Sequence, residues 1–251
     1  MGEEIKEIVR GRYSEIAKKG DSCCPTCGPC GPDSTDRAKG MGYSEEELRG
    51  IPKGAIMGLG CGNPTALADL KEGERILDLG AGSGLDAFLA AIKVGPRGYV
   101  IGLDIAGDMA QRANELARRH GYWNVEFLVG DMENLPVRDN SIDAVISNCA
   151  INLSTDKLRV YREAHRVLRP GGRISISDVV AEGRLPDRIR EDPEAWAGCI
   201  AGAMGRGEYL EAIGRAGFRD IEVLSQDPFY ELLLGDAPAG RIASIKVRAY
   251  K

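Results

Sequence analysis

The most reactive side chains in this sequence are seven cysteines. Cys23, Cys24, Cys27 and Cys30 share one short run, CCPTCGPC, while Cys61, Cys149 and Cys199 stand alone in distant segments. An odd set of thiols in a reducing compartment points to metal, metalloid or redox chemistry rather than a disulfide framework. The chain has two histidines, His120 and His165. That scarcity argues against His-rich zinc sites and Ser-His-Asp hydrolysis. Both histidines fall in helical segments and read as structural.

A second group of residues suits a nucleoside. Asp78-Leu79-Gly80-Ala81-Gly82-Ser83-Gly84 follows an apolar strand and precedes a helix. Glycines there let the backbone turn sharply and let a ligand approach without meeting a Cβ. The spacing is G-x-G-x-G. A dinucleotide fingerprint would require glycine where Leu85 stands, which disfavours a nicotinamide oxidoreductase. Asp104 ends the next strand, where a carboxylate accepts from both ribose hydroxyls. Asp131 ends the third, in VGDMENLP, and can accept from an exocyclic amine.

These residues need a scaffold that gathers strand ends. From Gly73 onward apolar β-rich runs (RILDLG, YVIGLD, VEFLVGD, IDAVISN, RISISDVV) alternate with helical stretches at 85–93, 107–119 and 156–168. This alternation predicts an α/β fold, a parallel sheet covered on both faces. A helix is expected over 3–19, and Ser44 with Glu47 has capping-box spacing. Residues 54–64, GAIMGLGCGNP, are too glycine-rich for a regular helix. A helix is expected near 206–216, with late strands at 220–225 and 243–250 as an antiparallel sheet edge. The stretch bracketed by Pro186 and Pro193 reads as a helix-poor lid over the thiols. The expected division is a helical, cysteine-bearing segment at 1–70, a nucleoside-binding domain at 71–182 and a small α+β region at 183–251.

Composition narrows the function classes. The 251 residues carry 33 Lys and Arg against 38 Asp and Glu, a net charge of −5. An acidic balance argues against a nucleic-acid partner. No apolar run approaches the roughly 18 residues that span a bilayer, and the charged N-terminus lacks a signal-peptide core. The expectation is a cytoplasmic protein with no membrane partner.

The strand-end pattern over about 70–180, with PGGR at 170–173, resembles the class I methyltransferases that use S-adenosylmethionine, whose sheet is Rossmann-like. The resemblance implies that Gly80, Gly82 and Gly84 hold the methionine part, Asp104 the ribose, and Asp131 with Met132 the adenine. Asp78, Ile105, Met109 and Asn148 complete the implied cofactor set. The segments GLGCGNPTALADLKEGERILDLGAGSGLD, SNCAINLSTDKLRVYREAHRVLRPGGR and WAGCIAGA resemble, more narrowly, the arsenite S-adenosylmethionine methyltransferases. What this implies is that Cys61, Cys149 and Cys199 ligate arsenic(III), with Cys23 or Cys24 as an additional redox thiol. Cys27 and Cys30 are less expected; a local metal or arsenic site, spare redox partners and a compact four-thiol zinc site are the readings left open for them.

The implied chemistry is consistent with the residue inventory. Trivalent arsenic is soft and prefers thiolates. Three sulfurs leave it pyramidal with one lone pair, the nucleophile toward a sulfonium methyl group. Arsenic loses no proton on alkylation, so no histidine base is required. A free thiol has a pKa of about 8.5, and backbone N–H groups around Cys61 are expected to lower it. Alkylation oxidises arsenic, and a disulfide between Cys61 and Cys23 or Cys24 would return two electrons. Thioredoxin or glutathione would then reduce that disulfide. Arsenite and methylarsenite are the expected substrates. The competing readings are a C-methyltransferase of a quinone or sterol and a non-catalytic arsenite-binding protein.

Overall fold

The computed structural model describes residues 2–19, 34–234 and 237–251, of which 229–234 and 237–240 by their backbone alone. Cys23, Cys24, Cys27 and Cys30 lie outside the described residues. Helices α1 (Gly2–Lys19), α2 (Ser34–Gly40), α3 (Glu45–Arg49) and α4 (Pro64–Leu67) precede the sheet. There follow β1 (Arg75–Leu79), α5 (Leu85–Val94), β2 (Tyr99–Asp104), α6 (Gly107–Arg119), β3 (Val125–Val129), β4 (Ile142–Asn148), α7 (Lys157–Val167) and β5 (Leu168–Glu182). Short helices α8 (Asp187–Arg190) and α9 (Pro193–Ala197) lead to α10 (Arg206–Arg215), β6 (Arg219–Leu234) and β7 (Ala237–Tyr250).

The strands form one seven-stranded sheet in the order β3-β2-β1-β4-β5-β7-β6. The pairings among β1 to β5 are parallel, and β7 runs antiparallel to both β5 and β6. The chain leaves β1 toward β2 on one side, while β4 lies on the other. This reversal opens a crevice at the carboxyl ends of β1 and β4, where α/β sheets bind ligands.

Alternation along each strand divides its side chains between two apolar layers. Leu77, Leu79, Ile101, Leu103 and Val145 face one layer, with Val160, Tyr161 and Ala164 of α7 and Tyr209 and Ile213 of α10. Ile76, Val100, Ala144 and Ile146 face the other, with Phe88 of α5 and Ala113 of α6. Each fully buried Leu, Ile or Phe contributes about 2 kcal/mol, so both faces must be covered. Burial at 157, 160, 161, 164 and 167 of α7 follows the helical repeat. The capping box at Ser44 and Glu47 is formed in both directions.

Three boundaries differ from the sequence reading. β6 and β7 are much longer than 220–225 and 243–250, because β7 pairs with β5 as far as Glu182–Arg241. The fifth strand begins at Leu168, and the turn-like PGG is carried as a bulge between the pairs Ile142–Leu168 and Ala144–Arg173. The stretch between Pro186 and Pro193 is not helix-poor. Pro193 opens α9, where a missing N–H costs nothing, and Asp192 caps it by accepting from Glu194 N.

Candidate active site

The loop after β1 forms one wall of a cavity. Gly82 has φ +54° with open space where a Cβ would stand, so it is the glycine that presents bare backbone to the cavity. Gly80 also lines the cavity, and a Cβ there would run into Ala150, just after Cys149. Gly84 does a different job. A Cβ would meet Phe127 at 2.7 Å and Phe88 at 2.8 Å, so this glycine lets α5 start against β3.

Asp104 is 9% exposed and accepts from Gly82 N and Ala106 N, both at 2.8 Å. Burial pushes its pKa up to about 6, against the pull of these N–H groups. Its remaining lone pairs are available to hydroxyls. Ile105, Asp131, Met132, Asp78 and Asn148 also line the cavity. Met109 does not appear in that lining: it is fully buried in a cluster with Ile16, Ala17, Met57 and Ala106. Its position at the first turn of α6 points it into the packing between α6 and α1.

The floor is a buried polar group that sequence reasoning did not anticipate. Asp86, in the first turn of α5, accepts from Tyr43 Oη at 2.7 Å and from Asn148 Nδ2 at 3.1 Å. Asp78 Oδ2 is buried without a hydrogen-bond partner. Burial, then the charges of Asp86 and Asp104, raise the Asp78 pKa well above the ordinary carboxylate range. A carboxylate oxygen left unpaired beside a cavity suits a cationic or hydrogen-bond-donating ligand. Asp86 was detectable as an acid in the turn after the glycines. Tyr43 carried no sequence signal.

The three isolated cysteines form one cluster, two of them in the wall of this cavity. Cys61 and Cys199 are buried, Cys149 is half-buried, and all three are free thiols in one cluster with Val179 and Leu153. Cys149 and Cys199 line the cavity beside the glycine loop. Cys199 Sγ donates to Cys149 O at 2.8 Å. Each segment is held by contacts from far along the chain. Cys61 N donates to Asn148 Oδ1 at 2.9 Å, and Ser244 Oγ of β7 donates to Cys61 O at 2.8 Å. A Cβ on Gly60, where φ is +121°, would meet the Asn148 amide at 2.8 Å. Among the described residues, no three His, Cys, Asp or Glu side chains form a ready-made metal-ion site. The sulfurs are neighbours within one cluster.

The thiols are not activated in this state. Burial pushes the Cys61 pKa up. At Cys149 the lowering hydrogen bond from Cys199 is outweighed by the hydrogen bond to Cys61 and by burial, and its pKa ends well above the usual range. The Cys149 hydrogen bond and burial raise Cys199 likewise. This corrects the expectation that backbone N–H groups lower Cys61. Those groups serve the loop's own anchoring, and desolvation decides.

Helix α1 roofs the cavity with Lys6, Val9, Tyr13 and Ile16. Lys6 Nζ donates to Asp131 Oδ2 at 2.7 Å and to Glu133 Oε2 at 2.6 Å. Its pKa is raised, because these carboxylates outweigh desolvation. Asp131 is therefore held by Lys6 where it lines the cavity. Tyr13 Oη reaches Ala197 O at 3.4 Å, close to Cys199. The histidines stand apart from this lining: His165 packs edge-on against Phe218 at 5.2 Å, and His120 ends α6.

The chain is similar to known methyltransferases. Residues 70–223 match a family model described as a methyltransferase domain. An arsenite methyltransferase of Halobacterium salinarum is 42% identical over 240 residues, covering 92% of this chain and 61% of its own. The chain thus spans about three fifths of that relative's length. The human arsenite methyltransferase is 31% identical, covering 99% of this chain and 68% of its own. A crystal structure of an arsenic(III) S-adenosylmethionine methyltransferase from Chlamydomonas reinhardtii superposes with a TM-score of 0.67 at 35% identity, over 88% of this chain and 75% of that one.

Proposed function

This chain belongs to the arsenite methyltransferase family, and from that premise we propose that it moves the methyl group of S-adenosylmethionine to thiolate-bound trivalent arsenic. The observation that carries the reading is the cluster of Cys61, Cys149 and Cys199, two of them in the wall of a cavity that Gly82 and Asp104 line. One thiol comes from each of the segments 1–70, 71–182 and 183–251.

The residues fit the cofactor. Bare backbone at Gly82, the orphaned oxygen of Asp78 and the open lone pairs of Asp104 suit a ligand that carries an ammonium group and ribose hydroxyls. When bound, S-adenosylmethionine supplies a methyl group on a positively charged sulfur. The chain's own task is to hold arsenic so that its lone pair faces the glycine loop. Holding both reactants in register is the main source of acceleration.

Protonated thiols suit the loading step. Arsenite, As(OH)3, exchanges three hydroxides for three thiols, and each thiol proton leaves with one hydroxide as water. Three As–S bonds form, three S–H bonds break and no net proton is released. The raised pKa values of the thiols therefore do not oppose ligation. Methylation leaves arsenic formally pentavalent. We assign its reduction to disulfide formation between Cys61 and Cys23 or Cys24, followed by a thiol reductant such as thioredoxin or glutathione.

A C-methyltransferase of a quinone or sterol would have no use for three converging thiols. A non-catalytic arsenite-binding protein would use them without turnover. The deciding experiment incubates the protein with arsenite, a thiol reductant and methyl-labelled S-adenosylmethionine, then resolves arsenic species by chromatography. Label in methylated arsenic, lost in Cys149→Ser and Cys199→Ser, is the expected result. Binding of arsenite without labelled product overturns the enzymatic reading.

A further inference from the structure

Lys157 is a buried cation at an unfavourable place. It is 7% exposed and begins α7, where the helix dipole disfavours positive charge. Among the described residues, no carboxylate lies within ion-pair distance of it. Buried charges without such a partner are costly, and an apolar side chain would fill the site at lower cost. Asp178, Glu208 and Glu133 attract it from beyond ion-pair distance, and its hydrogen bonds show what else offsets that cost.

The Nζ group donates to Ser154 O at 2.9 Å and to Asn152 O at 3.4 Å. Both carbonyls belong to the turn that follows Cys149. The same ammonium stands 5.5 Å from the centre of the Trp196 ring, a cation–π contact. Trp196 O in turn accepts from Cys199 N at 2.9 Å. One side chain thus ties the segment after Cys149 to the segment before Cys199. A second contact closes the gap from the other side. Gly202, just after Cys199, lies so close to Asn152 O that a Cβ there would overlap it, and Asn152 Nδ2 donates to Val179 O at 2.6 Å. Val179 packs in the thiol cluster.

We propose that Lys157 is a positioning residue that sets the Cys149–Cys199 separation, and through it the grip of the site on trivalent arsenic. The inference rests on the arsenic reading only for its second half, and the test separates the two.

In a variant carrying only Cys149 and Cys199, dibromobimane, a reagent that fluoresces on bridging two thiols, reports their spacing without arsenic. Lys157→Met is expected to lower the bridging yield several-fold, and Lys157→Arg to recover part of it. In the full chain, Lys157→Met is expected to raise Kd and KM for arsenite about tenfold, as for a lost hydrogen bond to a charged donor, with KM for S-adenosylmethionine unchanged. Should Lys157→Met fold poorly, Trp196→Leu removes the ring contact alone and is expected to lower bridging in the same direction. Unchanged bridging in the folded variants overturns the proposal. Reduced bridging in a protein that binds no arsenite would retain the positioning role and reject the arsenic reading.

Discussion

Cys149 and Cys199 hydrogen-bond through Cys199 Sγ and Cys149 O at 2.8 Å, and both sit in the left-handed region, with φ +56° and +61°. Left-handed backbone costs a residue with a Cβ about 1 kcal/mol. Two such residues facing one another mark a place where the local conformation serves a side chain's direction. Cys149→Gly is therefore expected to be more stable than Cys149→Ala by about 1 kcal/mol while remaining inactive. Urea denaturation of the pair checks this, and equal midpoints would count against strain at this residue.

Cys61 enters from a different direction. Its loop is anchored on Asn148 and Ser244, and its sulfur joins the cluster from outside the cavity lining. Methylarsenite needs only two protein thiolates, because one position on arsenic is already methylated. Cys61→Ser is expected to retain more activity on methylarsenite than on arsenite. Arsenic speciation after single turnovers decides it. Equal losses on both substrates would remove Cys149 and Cys199 as a sufficient pair.

Asp104 sets a pH dependence. Its folded pKa of about 6 lies above the usual carboxylate value because of burial. A raised acid contributes stability that is present below about pH 4 and is lost as pH rises through about 6. Cofactor binding runs the other way, because ribose hydroxyls donate to the ionised form. Affinity for S-adenosylmethionine is expected to rise as pH climbs through about 6 and to level off near 7. Calorimetric titration from pH 5 to 8 tests it, and Asp104→Asn should flatten the profile. A parent profile already flat would show that Asp104 does not take the hydroxyls.

Two glycines of one motif should fail differently. Gly82→Ala places a methyl group in the open cavity, whereas Gly84→Ala drives one against Phe127 and Phe88. Both also strain a left-handed backbone. Gly84→Ala is expected to cost about 2 kcal/mol more stability, as overpacking does. Gly82→Ala should act mainly on cofactor affinity. Thermal melting beside cofactor titration separates them, and matching profiles would mean the two positions share one role.

Lys6 ties the roof helix α1 to Asp131 and Glu133. Lys6→Met removes both ion pairs with Asp131 and Glu133. It is expected to speed cofactor release about fivefold, a loss of roughly 1 kcal/mol for a partly buried pair. Stopped-flow displacement measures the rate. Unchanged release would assign the roof's closure to the apolar contacts of Val9 and Ile16.

Much of this protein is written in local spacing. The apolar runs RILDL and IDAVIS, the helical repeat of α7, the capping pair Ser44 and Glu47 and the glycines after β1 need only near neighbours to act. The isolated cysteines were visible as thiols outside any disulfide pattern. What the tertiary structure alone decided involves partners far apart in the chain. The pairing of β7 with β5 lengthened both late strands and placed Ser244 on Cys61 O. Burial raised the Cys61 pKa, although the glycine-rich sequence around it suggested the opposite. Met109 turned to the core because α1 lies across α6. Lys6 met Asp131, and Lys157 met Trp196, through contacts that no local repeat encodes. Backbone periodicity depends on residues a few positions away, whereas desolvation and hydrogen-bond partners depend on which distant segments the seven-stranded sheet brings together.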